Sequence, residues 1–267
     1  MNHSIYFLKI KFENIVKFLF TFSMSIFICS IVTANEPNAI NSFEQGCEAY
    51  KKNDIQNAIK LFNAAAEKYE SAELYYNLGN CNFKLNKLPE AILNYERALK
   101  LAPGDEDVDY NLKLANGQIV DKIDSLPTLE IEKWWDHFKY GKGANYWGWL
   151  SIVFISIGLI LIVFFKISNS VFVKRFGFYL GFVFIILSGF SLYFAYQNSA
   201  YHSNASAAII FASKVDVKSS PLDEGTNVFV LHEGTKVVIV SGDKDWLEIK
   251  IANGNRGWIM KKNCLVI

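Results

Sequence analysis

The sequence lacks the short motifs that mark common catalytic and metal sites. It contains no glycine-rich phosphate loop, no HExxH pair and no nucleophile motif. Its histidines and cysteines are few and scattered, without a CxxC pair or a zinc-ligand spacing: His3, His137, His202 and His232, and Cys29, Cys47, Cys81 and Cys264. We therefore expect a protein that is not an enzyme and that has no catalytic residues, no metal site and no cofactor.

The sequence also lacks an excess of charge of either sign. Its 27 basic and 26 acidic residues give a formal net charge of +1, whereas nucleic-acid-binding proteins usually carry a clear basic excess. Hydrophobic residues make up 51% of the chain and aromatic residues 15%, a composition that fits a membrane protein better than a soluble enzyme. We expect no nucleic-acid partner and contact with a lipid bilayer.

Charge is absent altogether from residues 147–165 and 176–196. Each stretch has about 20 residues, enough for a helix of roughly 30 Å that crosses a hydrocarbon core. Apolar residues cover every helical face, as lipid contact on all sides requires. The two stretches predict a transmembrane hairpin, and the alternative is a pair of buried core helices in a soluble domain.

The predicted loop of this hairpin, residues 166–175, carries Lys166, Lys174 and Arg175 and no acidic residue. Basic residues in short loops are retained on the cytoplasmic side of a membrane. We therefore predict a two-span protein of the inner membrane with both soluble domains in the periplasm. Small residues that would let the two helices pack closely are Ser156, Gly158, Gly177, Gly181 and Gly189.

Residues 1–34 indicate a signal peptide. A basic region is followed by an apolar run that ends in Val32-Thr33-Ala34, small residues at the positions that a signal peptidase reads. An uncleaved membrane anchor is the alternative. Either interpretation places the following residues outside the cytoplasm, in agreement with the charge of the hairpin loop.

Residues 72–103 resemble a tetratricopeptide repeat nearly position by position. The matching positions are Tyr75, Leu78, Gly79, Leu85, Ala91, Tyr95, Ala98 and Pro103. The small residues let two antiparallel helices touch, and Pro103 ends the second helix. Asn82 departs from the pattern, which usually has tyrosine there, so we expect a looser or more polar helix contact at that point.

A weaker copy of the repeat lies about 33 residues upstream, with Gly46, Ala58, Phe62 and Ala65 in matching places. Residues 106–124 predict one further helix that caps the stack, with apolar residues at Val108, Leu112, Ile119 and Ile123. Together these segments predict an all-α repeat array over residues 39–124, which needs neighbours to bury its faces.

The inner groove of such an array binds peptides in the family that the repeats resemble. The groove positions carry over to Phe43, Cys47 and Tyr50 on one helix and to Tyr76, Asn80, Phe83 and Lys84 on another. Some family members clamp a peptide carboxylate with lysines, but Tyr76 stands where a lysine is needed. An apolar or aromatic peptide is therefore the expected ligand, and the alternative is that these aromatics pack on another part of the chain.

Two local features leave alternatives open. Cys47 and Cys81 lie at similar heights on adjacent predicted helices, so either a disulfide or two free thiols fits. Residues 125–146 interleave Trp134, Trp135 and Phe138 with lysines, which is typical of a short helix in the lipid headgroup layer. A plain linker is the alternative for that segment.

Residues 203–267 change to the period-two pattern of short β-strands and predict a small all-β barrel. Asn253-Gly254 is typical of a two-residue hairpin turn. The tail is similar to bacterial SH3-like domains at Ser219-Ser220-Pro221, Leu231-His232-Glu233-Gly234-Thr235, Asp245-Trp246, Asn253-Gly254 and Gly257-Trp258-Ile259. The resemblance implies recognition of cell-wall peptides or of a protein partner, and Trp246 and Trp258 are the candidate site residues, in the core or in a groove.

The order of these segments resembles the BatE family of aerotolerance operon proteins. That resemblance implies other membrane proteins of a Bat-type complex as partners, including proteins with von Willebrand factor A domains, in an assembly linked to oxygen or stress tolerance. The fold class we predict is a multidomain membrane protein with an all-α tetratricopeptide repeat array, a two-helix transmembrane hairpin and a small all-β SH3-like barrel. Its expected function is that of a non-enzymatic periplasmic scaffold, and the alternative is a peptidoglycan-binding envelope module or sensor.

Overall fold

The computed structural model describes residues 37–124, 126–127, 129–204 and 206–267. The predicted signal peptide lies outside these residues. The described helices are α1 (Pro37–Lys51), α2 (Ile55–Ala66), α3 (Ala72–Lys84), α4 (Leu88–Leu101), α5 (Glu106–Asn116), α6 (Glu130–Tyr140), α7 (Ala144–Ile167) and α8 (Val171–Asn204). The described strands are β1 (Ala207–Ile210), β2 (Lys214–Lys218), β3 (Asn227–His232), β4 (Lys236–Asp243), β5 (Trp246–Lys250), β6 (Arg256–Met260) and β7 (Cys264–Val266).

The helices α1 to α5 form the helical repeat array that the sequence predicts. In each repeat a glycine of the first helix faces an aromatic ring of the second. A Cβ atom at Gly46 would lie 2.7 Å from the ring of Phe62, and one at Gly79 would lie 2.4 Å from the ring of Tyr95. Both rings are buried. The two repeats therefore use the same close contact, because only glycine leaves room for the ring.

The buried polar side chain of Asn82 finds its hydrogen-bond partner within its own helix. Its side chain is buried, and its Nδ2 donates a hydrogen bond of 2.9 Å to the carbonyl of Leu78 in the same helix. The amide donor is thus satisfied locally, which is what a buried polar group requires.

The prediction that the capping helix runs to residue 124 is wrong. The helix α5 ends at Asn116, and the Lys122 ammonium donates to the carbonyls of Asn116 and Gly117 beyond that end. Ile119 packs against the core of the repeats, and Ile123 packs against the core of the sheet. The segment that follows the helix thus places one apolar side chain on each core, and burial of both side chains stabilises this path of the chain.

The strands form one antiparallel sheet of seven strands in the order β3-β2-β6-β5-β4-β1-β7. The edge strands β3 and β7 do not pair with each other in the described structure, so the sheet is not closed and the SH3-like barrel stays a prediction. The hairpin between β5 and β6 has three residues between Ile251 and Asn255, not two. Gly254 has φ +91° in this turn, a conformation that glycine adopts without strain.

The repeat array and the sheet pack directly on each other. Ile209 of β1 is fully buried in the core of the repeats. The Asp121 carboxylate accepts hydrogen bonds from the His232 backbone N–H at 2.6 Å, from the Thr235 hydroxyl at 2.7 Å and from the His232 ring at 2.8 Å. Burial alone would raise the pKa of Asp121, but these three hydrogen bonds outweigh it and hold that pKa below its usual value.

The helices α7 and α8 form an antiparallel hairpin, and both are long and apolar enough to cross a membrane. Only residues 168–170 separate them, so the helices extend into the predicted loop and carry its basic residues. Gly158, Gly177 and Gly181 lie where the two backbones approach closely, as predicted. Gly189 has no neighbour within 4 Å and Ser156 is exposed, so those two residues do not serve the packing.

Three serines that the sequence analysis missed also join the hairpin. The hydroxyls of Ser151 and Ser188 lie 2.9 Å apart, and each donates to the backbone carbonyl of the other residue at 3.0 Å. Ser191 Oγ donates to the carbonyl of Trp147 at 2.7 Å. Such hydrogen bonds link helices where few other polar groups are present.

We predict that Gly79→Ala lowers the free energy of unfolding by about 1–3 kcal/mol, because the methyl group would overlap the Tyr95 ring. Alanine in an open helical position would instead stabilise by up to about 1 kcal/mol. Thermal unfolding followed by circular dichroism in detergent measures the change. Gly189→Ala is the matched control, and equal melting temperatures for the two variants would contradict the close contact at Gly79.

We predict that Asp121→Asn lowers the free energy of unfolding by about 2 kcal/mol at neutral pH, since it removes a charged hydrogen-bond acceptor between the array and the sheet. The pKa of the folded carboxyl lies below the usual value of 3.8, so its stabilisation is present above pH 3.8 and is lost as the pH falls through the lower folded pKa.

Chemical denaturation at neutral pH and at about pH 3 checks this expectation. The difference between wild type and Asp121→Asn should shrink at the acidic pH, whereas exposed Asp124→Asn should differ little from wild type at either pH. A difference that grows in acid would show that Asp121 does not act as an ionised acceptor.

Candidate peptide-binding groove

The structure places the predicted groove residues on the first helices of the two repeats. Phe43, Cys47 and Tyr50 lie on α1, and Tyr76, Asn80, Phe83 and Lys84 lie on α3. Phe43, Tyr50, Tyr76, Asn80 and Phe83 are half-buried, and Lys84 is exposed. The Lys84 ammonium lies 4.2 Å from the centre of the Tyr50 ring, so a cation–π contact joins the two helices across the candidate groove.

The aromatic side chains of the candidate groove pack against the core of the repeat array. The ring centres of Phe43 and Phe62 are 5.7 Å apart, and those of Tyr76 and Tyr95 are 6.2 Å apart. Phe43 and Tyr76 thus each pack on the buried aromatic of their own repeat. This arrangement fixes the ring positions before any ligand arrives, which lowers the entropy that binding would cost.

A polar network forms the floor of the candidate groove at Asn80. Its Oδ1 accepts hydrogen bonds from the Tyr95 hydroxyl at 2.8 Å and from Asn111 Nδ2 at 3.1 Å. Asn111 Nδ2 also donates to the Tyr76 hydroxyl at 3.0 Å. Among the described residues no acceptor is bonded to Asn80 Nδ2, so this donor is available to a peptide carbonyl.

Burial, with smaller contributions from nearby tyrosines, raises the pKa of Tyr95 well above its usual value. Its hydroxyl therefore stays protonated at neutral pH and acts as the donor to Asn80. The orientation of the Asn80 amide follows from this, because its oxygen must face Tyr95 and Asn111.

Three residues of α5 lie near this face and were not predicted from the sequence. Asn111 completes the floor network, and Tyr110 and Leu114 are exposed, Tyr110 by 63%. The order Tyr76-Asn77-Leu78 recurs as Tyr110-Asn111-Leu112, about one repeat length of 34 residues further on. Continuing the phase of the repeat into the capping helix would have identified them.

Cys47 and Cys81 are free thiols in the structure. Burial raises the pKa of the Cys47 thiol, and it raises that of Cys81 to about 11. Both groups are therefore protonated at neutral pH, and a thiol is a poor nucleophile compared with the thiolate. We assign the two cysteines to packing.

The other predicted site residues, Trp246 and Trp258, lie on neighbouring strands of the sheet. Trp258 of β6 pairs with Glu248 of β5, and Trp246 pairs with Met260. Both tryptophans are half-buried, whereas Ile249 and Ile259, which alternate with them, are fully buried. The tryptophans therefore occupy the face of the sheet opposite its core.

A cavity of about 400 Å³ lies between the repeats and the sheet, lined in part by Asp121, Lys122, Thr235 and Lys236. These four residues already bind protein groups: Asp121 accepts from Thr235, Lys122 caps α5, and Lys236 pairs with Glu96 at 2.6 Å. These contacts join the two units, and they leave no charged group of this set free for a ligand. In the described part of the chain, no three His, Cys, Asp or Glu side chains are grouped as metal ligands would be.

Comparison with known proteins agrees with the helical array. Residues 43–106 match the model of the tetratricopeptide repeat family, a range that contains all of the predicted groove residues. No curated protein matches the chain. Proteins of this repeat family typically act as non-enzymatic scaffolds for protein–protein interaction, and residues 43–106 of this chain are similar to that family.

Proposed function

We propose that this protein is a non-enzymatic, membrane-anchored scaffold that binds partner proteins through the candidate groove. The observation that carries the proposal is the face formed by α1, α3 and α5, which combines aromatic rings packed on the core with Asn80, whose Nδ2 is bonded to no described acceptor. Aromatic side chains of this kind supply a large contact area at a low cost in conformational entropy. A partner segment with apolar or aromatic side chains and an exposed backbone fits this face.

The scaffold is anchored by the hairpin of α7 and α8 in the inner membrane, with the repeats and the sheet in the periplasm. Most large apolar side chains of the hairpin are exposed, which suits lipid contact and not a soluble core. The short connection between the helices is flanked by Lys166, Lys174 and Arg175, and this positive charge favours the cytoplasmic side.

Contacts between the repeats and the sheet support the even number of spans. Glu96 pairs with Lys236 at 2.6 Å, and Arg97 donates to the carbonyl of Val266 at 3.2 Å. These partners lie before and after the hairpin in sequence, so they can meet only if both soluble units are on the same side of the bilayer. A chain that crosses twice returns to that side, whereas a chain that crosses once does not.

The partners that we propose are other membrane proteins of a Bat-type complex, including proteins with von Willebrand factor A domains, in an assembly linked to oxygen or stress tolerance. The support is the resemblance of the segment order to the BatE family. A peptidoglycan-binding module is the second candidate function, favoured by the half-buried Trp246 and Trp258 on the outer face of the sheet, where aromatic rings could hold a wall ligand.

We predict that Tyr76→Ala combined with Phe83→Ala reduces the capture of partner proteins by at least about tenfold, because aromatic anchors each contribute more than about 1 kcal/mol at such surfaces. Crosslinking of the full-length protein in native membranes, followed by quantitative mass spectrometry, measures the capture. Tyr69→Ala, at an exposed tyrosine between α2 and α3, is the matched control and should leave capture unchanged.

The double variant removes some packing against the core, so its helical circular dichroism must be checked. Tyr110→Ala provides a second test, since that side chain is largely exposed and its loss should not unfold the array. Undiminished capture by both folded variants would rule out the groove as the partner site.

We predict that the detergent-solubilised full-length protein does not sediment with purified peptidoglycan sacculi. Sedimentation that is lost on Trp246→Ala with Trp258→Ala would instead favour the wall-binding function. Sedimentation that survives this double substitution would exclude these tryptophans as the wall-binding site and would still count against a purely protein-binding scaffold.

A further inference from the structure

The helix α6 has a continuous apolar stripe that the other described residues cover only in part. Ile131, Trp134, Trp135 and Phe138 recur at the spacing of one helical face. All four are exposed, Ile131 by 66% and Trp134 by 61%. Four large apolar side chains on one side of an 11-residue helix form the kind of surface that marks a binding interface.

The stripe is continuous with the apolar surface of the hairpin. The ring centres of Trp135 and Phe138 lie 6.3 and 6.0 Å from that of Phe194 in α8, and Phe138 lies 5.3 Å from Trp147 in α7. All three contacts are edge-on. The aromatic surface of α6 is therefore continuous with the apolar surface of the hairpin near the start of α7 and in the last turns of α8.

Polar contacts fix the carboxyl end of α6 to the same place. The Trp147 indole donates to the carbonyl of Lys139 at 3.1 Å, and Asn198 Nδ2 donates to the carbonyls of Lys139 and Lys142 at 2.6 and 3.0 Å. The last carbonyls of a helix have no partner within it. One residue from each long helix supplies the missing donors. These hydrogen bonds fix the position of α6 relative to the hairpin.

The charge of α6 does not select anionic lipids. The helix has three acidic and two basic residues, a net charge of −1 with His137 neutral. Two of the acidic residues pair within the helix, Glu130 with Lys133 at 2.7 Å and Asp136 with Lys139 at 3.0 Å. Attraction to a membrane surface would therefore come from apolar burial and aromatic preference for the headgroup layer.

We propose that α6 lies along the outer surface of the bilayer with Ile131, Trp134, Trp135 and Phe138 turned toward the acyl chains, independently of lipid headgroup charge. This inference rests on the proposed membrane insertion of the hairpin. Because the stripe continues the apolar surface of the hairpin, a lipid surface is the partner that fits the stripe. The proposal would be wrong if a second copy of the chain or a partner protein covered the stripe.

Spin labelling of the full-length protein in lipid nanodiscs tests the proposal. Ile131→Cys on the stripe and Lys133→Cys on the opposite face each carry a nitroxide, in a background whose native cysteines are replaced by alanine. The collision rates of each label with oxygen, which concentrates in lipid, and with a water-soluble nickel chelate are measured. Nanodiscs of phosphatidylcholine alone and of phosphatidylcholine with phosphatidylglycerol are compared.

The label at position 131 should collide preferentially with oxygen and the label at position 133 with the nickel chelate, in both lipid compositions. Equal access of nickel to both labels would overturn the inference, as would a label at position 131 that neither reagent reaches, which would indicate a protein cover. A preference for oxygen at position 131 that appears only with phosphatidylglycerol would contradict the proposed independence of headgroup charge.

A third label, at Val153→Cys in the middle of α7, separates the two proposals. Val153 is exposed on the hairpin, so oxygen access there confirms that the hairpin is in lipid. With that result, nickel access at position 131 defeats only the inference about α6. Nickel access at position 153 would defeat the proposed membrane anchoring and the inference with it.

Discussion

The candidate groove depends on the close contact between Gly79 and Tyr95. A Cβ atom at Gly79 would lie 2.4 Å from the ring, so only glycine lets Tyr95 pack directly on α3. The position of the ring then sets that of its hydroxyl, which donates to Asn80. Asn80 in turn orients Asn111 of the capping helix, and Asn111 holds Tyr76. Packing in the core thereby determines the orientation of the Asn80 amide and hence which polar group faces a ligand at the surface.

The repeat array is short, and the sheet supplies the neighbour that a longer array would otherwise provide. A repeat cannot bury its outer face alone, and terminal units need a cap. In this chain α5 covers part of that face, after which Ile119 packs on the repeats and Ile123 reaches the sheet. Ile209 of the sheet is buried in the core of the repeats. The helical and β units therefore share one apolar boundary, and Asp121 satisfies the polar groups at its edge.

Local patterns in the sequence predicted the elements, whereas contacts between distant residues were missed. The glycine, alanine and aromatic spacing predicted the paired repeat helices, and absence of charge predicted the two long apolar helices. The Asp121–His232 contact joins residues 111 positions apart, which no periodicity reveals. A serine such as Ser151 gives no signal of its role in an apolar stretch of sequence, because that role depends on its partner in the other helix. The groove assignments and the barrel stay predictions, because ligand contact and strand closure depend on geometry that local sequence does not encode.

The hairpin and α6 are linked through a single row of contacts. Along α7 the residues facing α8 recur at alternating intervals of four and three: Trp147, Ser151, Phe154, Gly158 and Leu161. An average spacing of 3.5 keeps one seam between two gently supercoiled helices. Glycines occupy the end of the seam near the loop, and serines, whose hydroxyls satisfy one another, occupy the other end. The row continues outward to Phe194 and Asn198, which contact the rings and the terminal carbonyls of α6. The register of the hairpin thus sets the direction in which α6 leaves it, so a change that shifted the seam by one residue would also move the aromatic stripe.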